Sequence, residues 1–250
     1  MDLSRRYGEP DLDVLTGEEA RRFIRRPGAD PQVDISLSWE LLYRLEPELY
    51  DRLVQAERLH PAILDWLPVS VDRIVEVGAG TGRLTLELIS RAQEIVAVEP
   101  AAPMRRILTR RLAQAPHGRQ VTVAHGFFDA LPVPTRWAEM VVACSALTRD
   151  DEHGGQAGLA EMERVCRPGG RVVIIWPNNL DWLTAHGYRY QSFPGQMWMQ
   201  FPSLAEAVEL VEIFYPQAVA EVRRRGRPTV PYEVLGINPP RDLAVKDMPT

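Results

Sequence analysis

The spacing of hydrophobic residues predicts alternating strands and helices from about residue 71 to residue 176. Apolar residues recur every three or four positions over 83–92 and 103–115, which is typical of helices packed on one face. A further helix ends at the Pro-Gly-Gly stop signal of residues 168–170. Such alternation indicates right-handed crossovers and a mostly parallel sheet with helices on both faces. The predicted strands lie at 73–77, 94–98, 120–124, 138–143 and 171–176.

The segments outside this region follow other patterns. Residues 1–34 are rich in charge, proline and aspartate, which is typical of a partly disordered segment. Residues 35–66 carry an apolar face and are predicted to be helical, whereas 176–201 hold seven of the 19 aromatic residues. After a helix from 203 to about 214, strands over 218–223 and 229–236 are predicted to form an antiparallel hairpin.

These patterns suggest a division of the chain into three parts. Residues 1–66 are interpreted as a helical N-terminal lid, and residues 67–237 as an α/β core. The aromatic-rich segment 177–202 is an insert after the fifth strand of that core, and 238–250 form a C-terminal tail.

Composition and charge exclude several classes of protein. The 250 residues are 45% hydrophobic and 25% charged, as in ordinary globular domains. A net charge of −5 argues against bulk nucleic-acid binding, and the arginine-rich run 223–227 is interpreted as a solvated strand end and turn. No segment reaches the roughly 20 apolar residues of a membrane span, and no secretory signal is visible, so a cytoplasmic protein without a membrane partner is expected. The two cysteines lack metal-ligand spacing, so no metal site is expected.

A glycine-rich turn follows the first predicted strand. Gly78, Gly80 and Gly82 lack side chains, so the backbone there can approach a ligand closely and adopt positive φ angles. Dinucleotide-binding turns need a third glycine at the position that Arg83 occupies, so the spacing argues against a bound pyrophosphate. A P-loop is excluded because the only lysine is Lys246.

Two carboxylates accompany this turn. Glu99 ends the second predicted strand, 21 residues after Gly78, where it can accept hydrogen bonds from both hydroxyls of a ribose. Glu76 lies inside the first strand, and a buried carboxylate needs hydrogen-bond partners. A ligand ammonium group or the backbone amides of the glycine turn would supply them.

The sequence resembles the class I S-adenosylmethionine-dependent methyltransferases in four motifs that occur in the family's order. These are the Glu-x-Gly-x-Gly-x-Gly of residues 76–82, the acid Glu99, the Leu-Pro-Val-Pro of residues 131–134 and the Arg-Pro-Gly-Gly of residues 167–170. The resemblance implies a Rossmann-like, doubly wound, seven-stranded sheet with a reversed last hairpin, and S-adenosylmethionine as the cofactor. It implies a cofactor site formed by Glu76, Gly78, Ala79, Gly80, Gly82, Glu99, Pro100, Met104, Phe128, Asp129 and Cys144.

One position departs from the family's pattern. The family commonly has an aspartate after the glycine that ends the third strand, where it contacts the adenine amine. Here Gly126 is followed by Phe127 and Phe128, and the first acid is Asp129. Either Asp129 takes this role, or backbone groups and aromatic packing hold the adenine.

Methyl transfer from a sulfonium needs positioning and desolvation, and a base only where the acceptor is a neutral hydroxyl. His186 is the preferred base because it lies in the aromatic insert after the fifth strand, and the other candidates are His153, Asp181, Tyr188 and Tyr190. The insert and the lid are expected to form a pocket for a flat or apolar small molecule, with Tyr43 or Tyr50 reaching the cofactor. The predicted acceptor-binding residues are Trp39, Tyr43, Trp182, Tyr188 and Trp198.

Three classes of function stay open at this point. The favoured one is a small-molecule methyltransferase that methylates oxygen, nitrogen or carbon. The second is an enzyme that binds the same cofactor without methylating, such as a cyclase, and the third is an inactive binding protein of the same fold. The intact glycine turn and Glu99 weigh against the third class. The identity of the acceptor and the choice between monomer and homodimer are not indicated by any motif.

Overall fold

The computed structural model describes residues 35–250, and the chain divides into two compact units. The first unit contains His60–Pro194 and Arg241–Thr250. The second contains residues 35–59 and Gly195–Pro240. The predicted loosely structured segment 1–34 lies outside the described residues.

The first unit is a seven-stranded sheet with helices in the connections. Its strands are β1 (Val71–Val77), β2 (Ala92–Val98), β3 (Val121–Ala124), β4 (Ala138–Cys144), β5 (Cys166–Ile175), β6 (Arg189–Ser192) and β9 (Asp242–Asp247). Its α-helices are α3 (Pro61–Trp66), α4 (Thr85–Leu88), α5 (Ala102–Leu112), α6 (Gly155–Val165) and α7 (Leu180–Ala185). Short 3-10 helices cover Gly118–Gln120 and Asp151–His153.

The strand order is β3-β2-β1-β4-β5-β9-β6. Strands β1 to β5 pair in parallel, and β9 runs antiparallel to both β5 and β6. The register aligns Val77 of β1 with Val98 of β2 and with Ala143 of β4. The carboxyl ends of these three strands therefore meet at one edge of the sheet, which is where open α/β sheets bind ligands.

Burial explains why the middle residues of the central strands are apolar. The side chains of Val75, Val141 and Val173 are fully buried, as expected for a parallel strand covered on both faces. Glu76 is the exception in β1, because this carboxylate is 2% exposed. A charge-bearing group at such a position is costly unless a ligand or a hydrogen bond compensates for it.

The second unit is largely helical. It contains α1 (Ile35–Leu45), α2 (Pro47–Ala56), β7 (Trp198–Gln200), α8 (Leu204–Phe214), α9 (Val219–Arg225), β8 (Thr229–Pro231) and α10 (Tyr232–Leu235), with a 3-10 helix over Pro216–Ala218. Arg52 of α2 bonds to Glu206 and Glu209 of α8, at distances of 2.7 to 3.1 Å. Strands β7 and β8 form a separate two-stranded antiparallel sheet.

The predicted late hairpin is wrong in its location. Residues 219–225 form helix α9, and β8 pairs with β7 instead of joining the main sheet. Val219 and Val222 are three residues apart, which places them on one face of a helix but on opposite faces of a strand. The reversed pair of the main sheet is β6 with β9, so it comes from the predicted insert and from the predicted tail.

Candidate functional site

The glycine turn joins β1 to α4 at the carboxyl edge of the sheet. Gly78, Gly80 and Gly82 have φ angles of 73°, 57° and 97°, in the region that favours glycine. The N–H groups of Gly78 and Ala79 donate to the carbonyl of Val98, at 2.9 and 3.0 Å. A Cβ atom at Gly78 would lie 2.7 Å from the Cβ of Ala146, so glycine is required there by contact as well as by conformation.

Glu99 follows β2, and its carboxylate is hydrogen-bonded to the glycine turn. Its Oε2 accepts a hydrogen bond from the N–H of Gly80 at 2.9 Å, and its Oε1 accepts one from the N–H of Ala101 at 2.8 Å. The residue is 7% exposed, and Arg105 donates to its backbone carbonyl at 2.7 Å. Because each carboxylate oxygen has two lone pairs, the anchored side chain can still accept hydrogen bonds from ligand hydroxyls.

Beneath the turn lies a group of buried polar atoms. Within residues 35–250, Oε2 of Glu76 and the hydroxyl oxygens of Thr81 and Thr85 have no hydrogen-bond partner. Burial raises the pKa of Glu76 to about 8, against smaller lowering effects of Thr85 and Arg83. Unsatisfied buried polar atoms cost free energy, so such a group indicates a place where a donor from a ligand would be stabilising.

Arg83 brings a positive charge to the same edge. Its Nη2 lies 3.3 Å from Sγ of Cys144, and its guanidinium lies 5.7 Å from the ring centroid of Trp176. Trp176 and Ser145, which directly follow β5 and β4, both have a φ of 53°. Side-chain-bearing residues rarely adopt this conformation, and it concentrates at functional sites.

Sequence reasoning did not identify Arg83 or Ser145 as site residues, and it named Trp176 only as the start of the aromatic segment 176–201. The backbone strain at Ser145 and Trp176 has no sequence signature, since neither is a glycine or an asparagine. Arg83 carried one signal, because it directly follows a turn that meets the ligand edge of the sheet.

The predicted adenine region lies after β3. Phe128 packs beside the glycine turn, with its Cζ 3.5 Å from the position of a Cβ at Gly78. A Cβ at Gly154 or at Gly158 would lie 2.9 Å from the Cβ of Phe128, so these glycines make room for the side chain. Asp129, the next residue, is exposed.

The other predicted cofactor residues occupy three kinds of environment. Ala79 lies within the turn and is 5% exposed, whereas Pro100 is exposed after β2. Met104 is buried on α5 at 2% exposure, so it supports the site from within the core. Cys144 ends β4 and is half-buried, with its Sγ beside the guanidinium of Arg83.

His186 lies at the C-terminal end of α7. Its Nδ1 is 2.7 Å from the carbonyl oxygen of Trp182, and because a carbonyl only accepts, Nδ1 is the donor of this hydrogen bond. Strand β6 is parallel to β5, so the chain must return from the ligand edge before β6 begins. His186 therefore belongs to the returning segment, and adjacency in sequence to the end of β5 does not place it at the glycine turn.

The other candidate bases have different surroundings. Tyr188 is 2% exposed, its hydroxyl donates to Glu163 at 3.3 Å, and burial raises the pKa of its phenol. This core position argues against a contact with either cofactor or acceptor. The hydroxyl of Tyr190 donates to Asp242 at 3.0 Å. His153 is half-buried in a 3-10 helix, and Asp181 is exposed at the start of α7.

The structure distributes the predicted acceptor-binding aromatics over both units. Trp39, Tyr43, Tyr50 and Phe214 form a cluster in the second unit, with ring centroids 4.9 to 6.4 Å apart. Trp198 also belongs to the second unit and is 42% exposed. Trp182 and Tyr188 belong to the first unit.

Two further sequence expectations concern metals and membranes. The described part of the chain contains no group of three metal-ligating side chains. None of the helices within residues 35–250 combines the length and the apolarity that a membrane crossing requires. The second cysteine, Cys166, is buried and free.

Comparison with known proteins finds similarity to methyltransferases. Residues 74–170 match the family model of a methyltransferase domain. An uncharacterized methyltransferase of Mycobacterium bovis is 33% identical over 132 residues, which are 51% of this chain and 50% of the relative. An uncharacterized methyltransferase of Geobacillus kaustophilus is 30% identical over 101 residues, 40% of this chain and 45% of the relative. This chain thus spans about half the length of the curated relatives that it matches.

The fold of the chain is also similar to that of a solved structure. The crystal structure of a methyltransferase from Bacillus halodurans, described there as putative, has a TM-score of 0.51 and is 13% identical in sequence. The similarity covers 76% of this chain and 98% of that chain. At this level of identity the likeness supports the fold alone.

Proposed function

We propose that this chain is a class I S-adenosylmethionine-dependent methyltransferase and that it transfers the methyl group of S-adenosylmethionine to a small molecule. The observation that carries the proposal is the glycine turn with its anchored carboxylate. Glu99 accepts from Gly80 and from Ala101, so the acid stands fixed beside a backbone that a ligand can approach closely.

The residues of this edge fit S-adenosylmethionine. The Glu99 carboxylate would hold the ribose hydroxyls, and Oε2 of Glu76, which is buried without a partner in the described chain, would accept from the amino group of the methionine part. An ammonium group beside Glu76 would also favour the ionised carboxylate, opposing the burial that raises its pKa. Arg83 offers a positive charge for a carboxylate at the same edge.

Bound S-adenosylmethionine supplies an activated methyl group on a sulfonium, so the protein's task is to orient the acceptor and to exclude water. The strained ends of β4 and β5, Ser145 and Trp176, border this edge and are suited to holding an acceptor in a fixed position. A base is needed only for a neutral hydroxyl acceptor. The small-molecule class of the acceptor rests on the acidic net charge of −5, which argues against a nucleic-acid acceptor.

Calorimetry tests the cofactor part of the proposal. S-adenosylhomocysteine should bind with a Kd in the micromolar range, whereas NAD should show no heat at the same concentration. Arg83→Ala should weaken this binding several-fold, and Arg110→Ala on α5 is a matched control that removes one arginine from elsewhere in the first unit. Binding of NAD without a response to S-adenosylhomocysteine would refute the assignment.

Turnover distinguishes methylation from the other two classes. Formation of S-adenosylhomocysteine with a panel of hydroxylated, amine-bearing and carboxylate-bearing acceptors should identify an acceptor by mass increase. Conversion of a compound without consumption of S-adenosylmethionine would favour the non-methylating class instead. His186→Ala should keep its rate within about threefold of the parent, because His186 lies on the segment that returns from the ligand edge. Loss of a true general base would instead lower the rate by about 10²–10⁴.

A further inference from the structure

The second unit contains a cavity of about 440 Å³, and every residue that lines it belongs to that unit. It lies over the two-stranded sheet, whose Met199 and Val230 are buried on one face while Trp198 and Thr229 are exposed on the other. Its volume is within the range of small-molecule pockets. The cavity is lined by Trp198, Arg224, Arg225, Arg227 and Thr229.

The arginines of this cavity have many unused donors. Nε and Nη2 of Arg224 donate to Glu221, at 2.7 and 2.6 Å, and Nε of Arg225 donates to the same carboxylate at 2.9 Å. Their other guanidinium nitrogens make no hydrogen bond within residues 35–250, and Arg227 makes no ion pair there. Glu221 thus orients two of the guanidiniums and leaves most of their N–H groups for a ligand.

The charges define the chemistry of the ligand. Three guanidiniums against the single carboxylate of Glu221 leave a net charge of about +2 around the cavity, which matches a phosphate dianion near neutral pH. The planar forks of arginine suit the oxygen geometry of phosphate. Trp198, with 42% of its surface exposed, offers a flat apolar face beside them.

Helix geometry explains only part of this arrangement. Arg223, Arg224 and Arg225 lie in the last turn of α9, where positive charge is favourable to the helix dipole. Arg227 follows the end of the helix, and Trp198 and Thr229 come from two separate strands. Helix α9 and strands β7 and β8 therefore converge on the cavity. The helix dipole accounts only for the arginines of α9.

We propose that this cavity binds a small organic phosphate, with the phosphate held by Arg224, Arg225 and Arg227 and a planar group packed on Trp198. The acidic net charge of −5 argues against an extended nucleic-acid surface. The site lies wholly within the second unit, and the proposal does not depend on methyl transfer.

Phenyl phosphate is the probe for the test, because it joins a dianionic phosphate to one flat ring. Calorimetry without any other ligand should give a Kd at or below about 1 mM. Benzoate, which carries the ring and a single negative charge, should bind at least fivefold more weakly. Tryptophan fluorescence should change on binding in the parent chain and should not change in Trp198→Phe, although the chain has five other tryptophans.

The matched variants are Arg227→Ala and Arg223→Ala, which remove the same charge a few residues apart. Arg227→Ala should weaken the binding of phenyl phosphate about tenfold. Arg223 pairs with Glu212 and does not line the cavity, so the Kd of Arg223→Ala should stay within twofold of the parent value. Thermal melting confirms that both variants fold. S-adenosylhomocysteine affinity should be unchanged in both, so this test and that of the glycine turn fail independently.

Three results would overturn the proposal. One is no binding of phenyl phosphate at several millimolar. Another is equal weakening by the two arginine variants, which would indicate general electrostatic attraction and no defined site. The third is tighter binding of a ten-residue thymidine oligonucleotide than of phenyl phosphate, again weakened equally by both variants, which would make this face a single-stranded nucleic-acid surface.

Discussion

At the scale of single residues, the two site carboxylates differ in how the fold satisfies them. Glu99 receives two backbone N–H groups, whereas Oε2 of Glu76 receives none from the described chain. The first arrangement fixes a side chain, and the second stores an unfavourable interaction that a ligand can relieve. This contrast yields a different prediction for each residue.

Glu99→Gln is expected to be as damaging as Glu99→Ala. Each carboxylate oxygen accepts a different backbone N–H, and glutamine has only one oxygen, so its amide N–H₂ would face the second donor. S-adenosylhomocysteine affinity should fall at least about tenfold, and stability by about 1–3 kcal/mol. Calorimetry and urea unfolding measure the two effects. The control is Glu94→Gln on β2, the strand that Glu99 follows, where the acid is exposed near Arg73. Unchanged affinity in Glu99→Gln would show that the carboxylate does not hold the ligand.

Glu76 is expected to make stability depend on pH. Its pKa is about 8 in the folded chain against an ordinary value of 4.5, so between these pH values the unfolded chain ionises while the folded chain stays protonated. The contribution therefore becomes more unfavourable as the pH rises, by up to about 1.4 kcal/mol per pH unit. Relative to Glu76→Gln, the parent should lose a few kcal/mol of unfolding free energy between pH 5 and pH 8. Urea unfolding of both proteins measures this effect. If their unfolding free energies differ by the same amount at every pH in this range, the prediction is contradicted.

At the scale of elements, the predictions succeed where a local pattern fixes the structure. The turn between β1 and α4 could be predicted because its glycines are compatible with few other conformations, and the three φ angles confirm it. The strand over 218–223 was wrongly predicted, because the Gly-containing turn after it was interpreted as a hairpin turn although the spacing of Val219 and Val222 fits helix α9. Strand β9 was missed because a short apolar run near the end of a chain gives no sign of its partners, which are set by pairing with β5 and β6.

The candidate site divides in the same way. The residues of the turn and Glu99 could be placed from sequence because spacing along parallel strands brings their carboxyl ends to one edge. The acceptor residues could not, because the predicted insert is shared between α7 and β6 of the first unit and β7 of the second. Sequence adjacency to β5 is therefore a poor guide to position for His186, Tyr188 and Trp198.

Glycine can be required by backbone conformation or by a close contact, and Gly78 and Gly226 allow the two effects to be compared. Both have positive φ, 73° and 63°, but a Cβ at Gly78 would meet Ala146 at 2.7 Å, and one at Gly226 would meet nothing within 4 Å. Gly226→Ala should cost only the conformational strain, about 1–2 kcal/mol, and keep cofactor affinity. Gly78→Ala should cost more and weaken S-adenosylhomocysteine at least about tenfold, because the displaced turn loses its bonds to Val98. Thermal melts and calorimetry test the pair. Equal losses of stability in the two variants would mean that the contact with Ala146 is easily relieved.

At the scale of the whole molecule, the described part of the first unit is built from two stretches of chain that are far apart in sequence. Arg241–Thr250 joins His60–Pro194 after the chain has formed part of the second unit. Its strand β9 lies between β5 and β6, and Leu243 and Ala244 are fully buried. The predicted tail is thus a central strand, and the first unit is incomplete without it.

The last prediction concerns this strand. Leu243→Ala should destabilise the protein by about 2–5 kcal/mol, because it removes a fully buried side chain from a strand that is paired on both sides. Asp247→Ala on the same strand is the control. The ion pairs of Asp247 with Arg171 and Arg189 are largely exposed, so this change should cost no more than about 1 kcal/mol.

A shortened chain that ends at Pro240 leaves β5 and β6 without a strand between them. The lost stability should exceed the 5–15 kcal/mol that stabilises a typical domain. Urea unfolding of the two point variants and the soluble yield of the shortened chain measure these effects. A shortened chain that stays folded and binds S-adenosylhomocysteine would show that the sheet closes without β9.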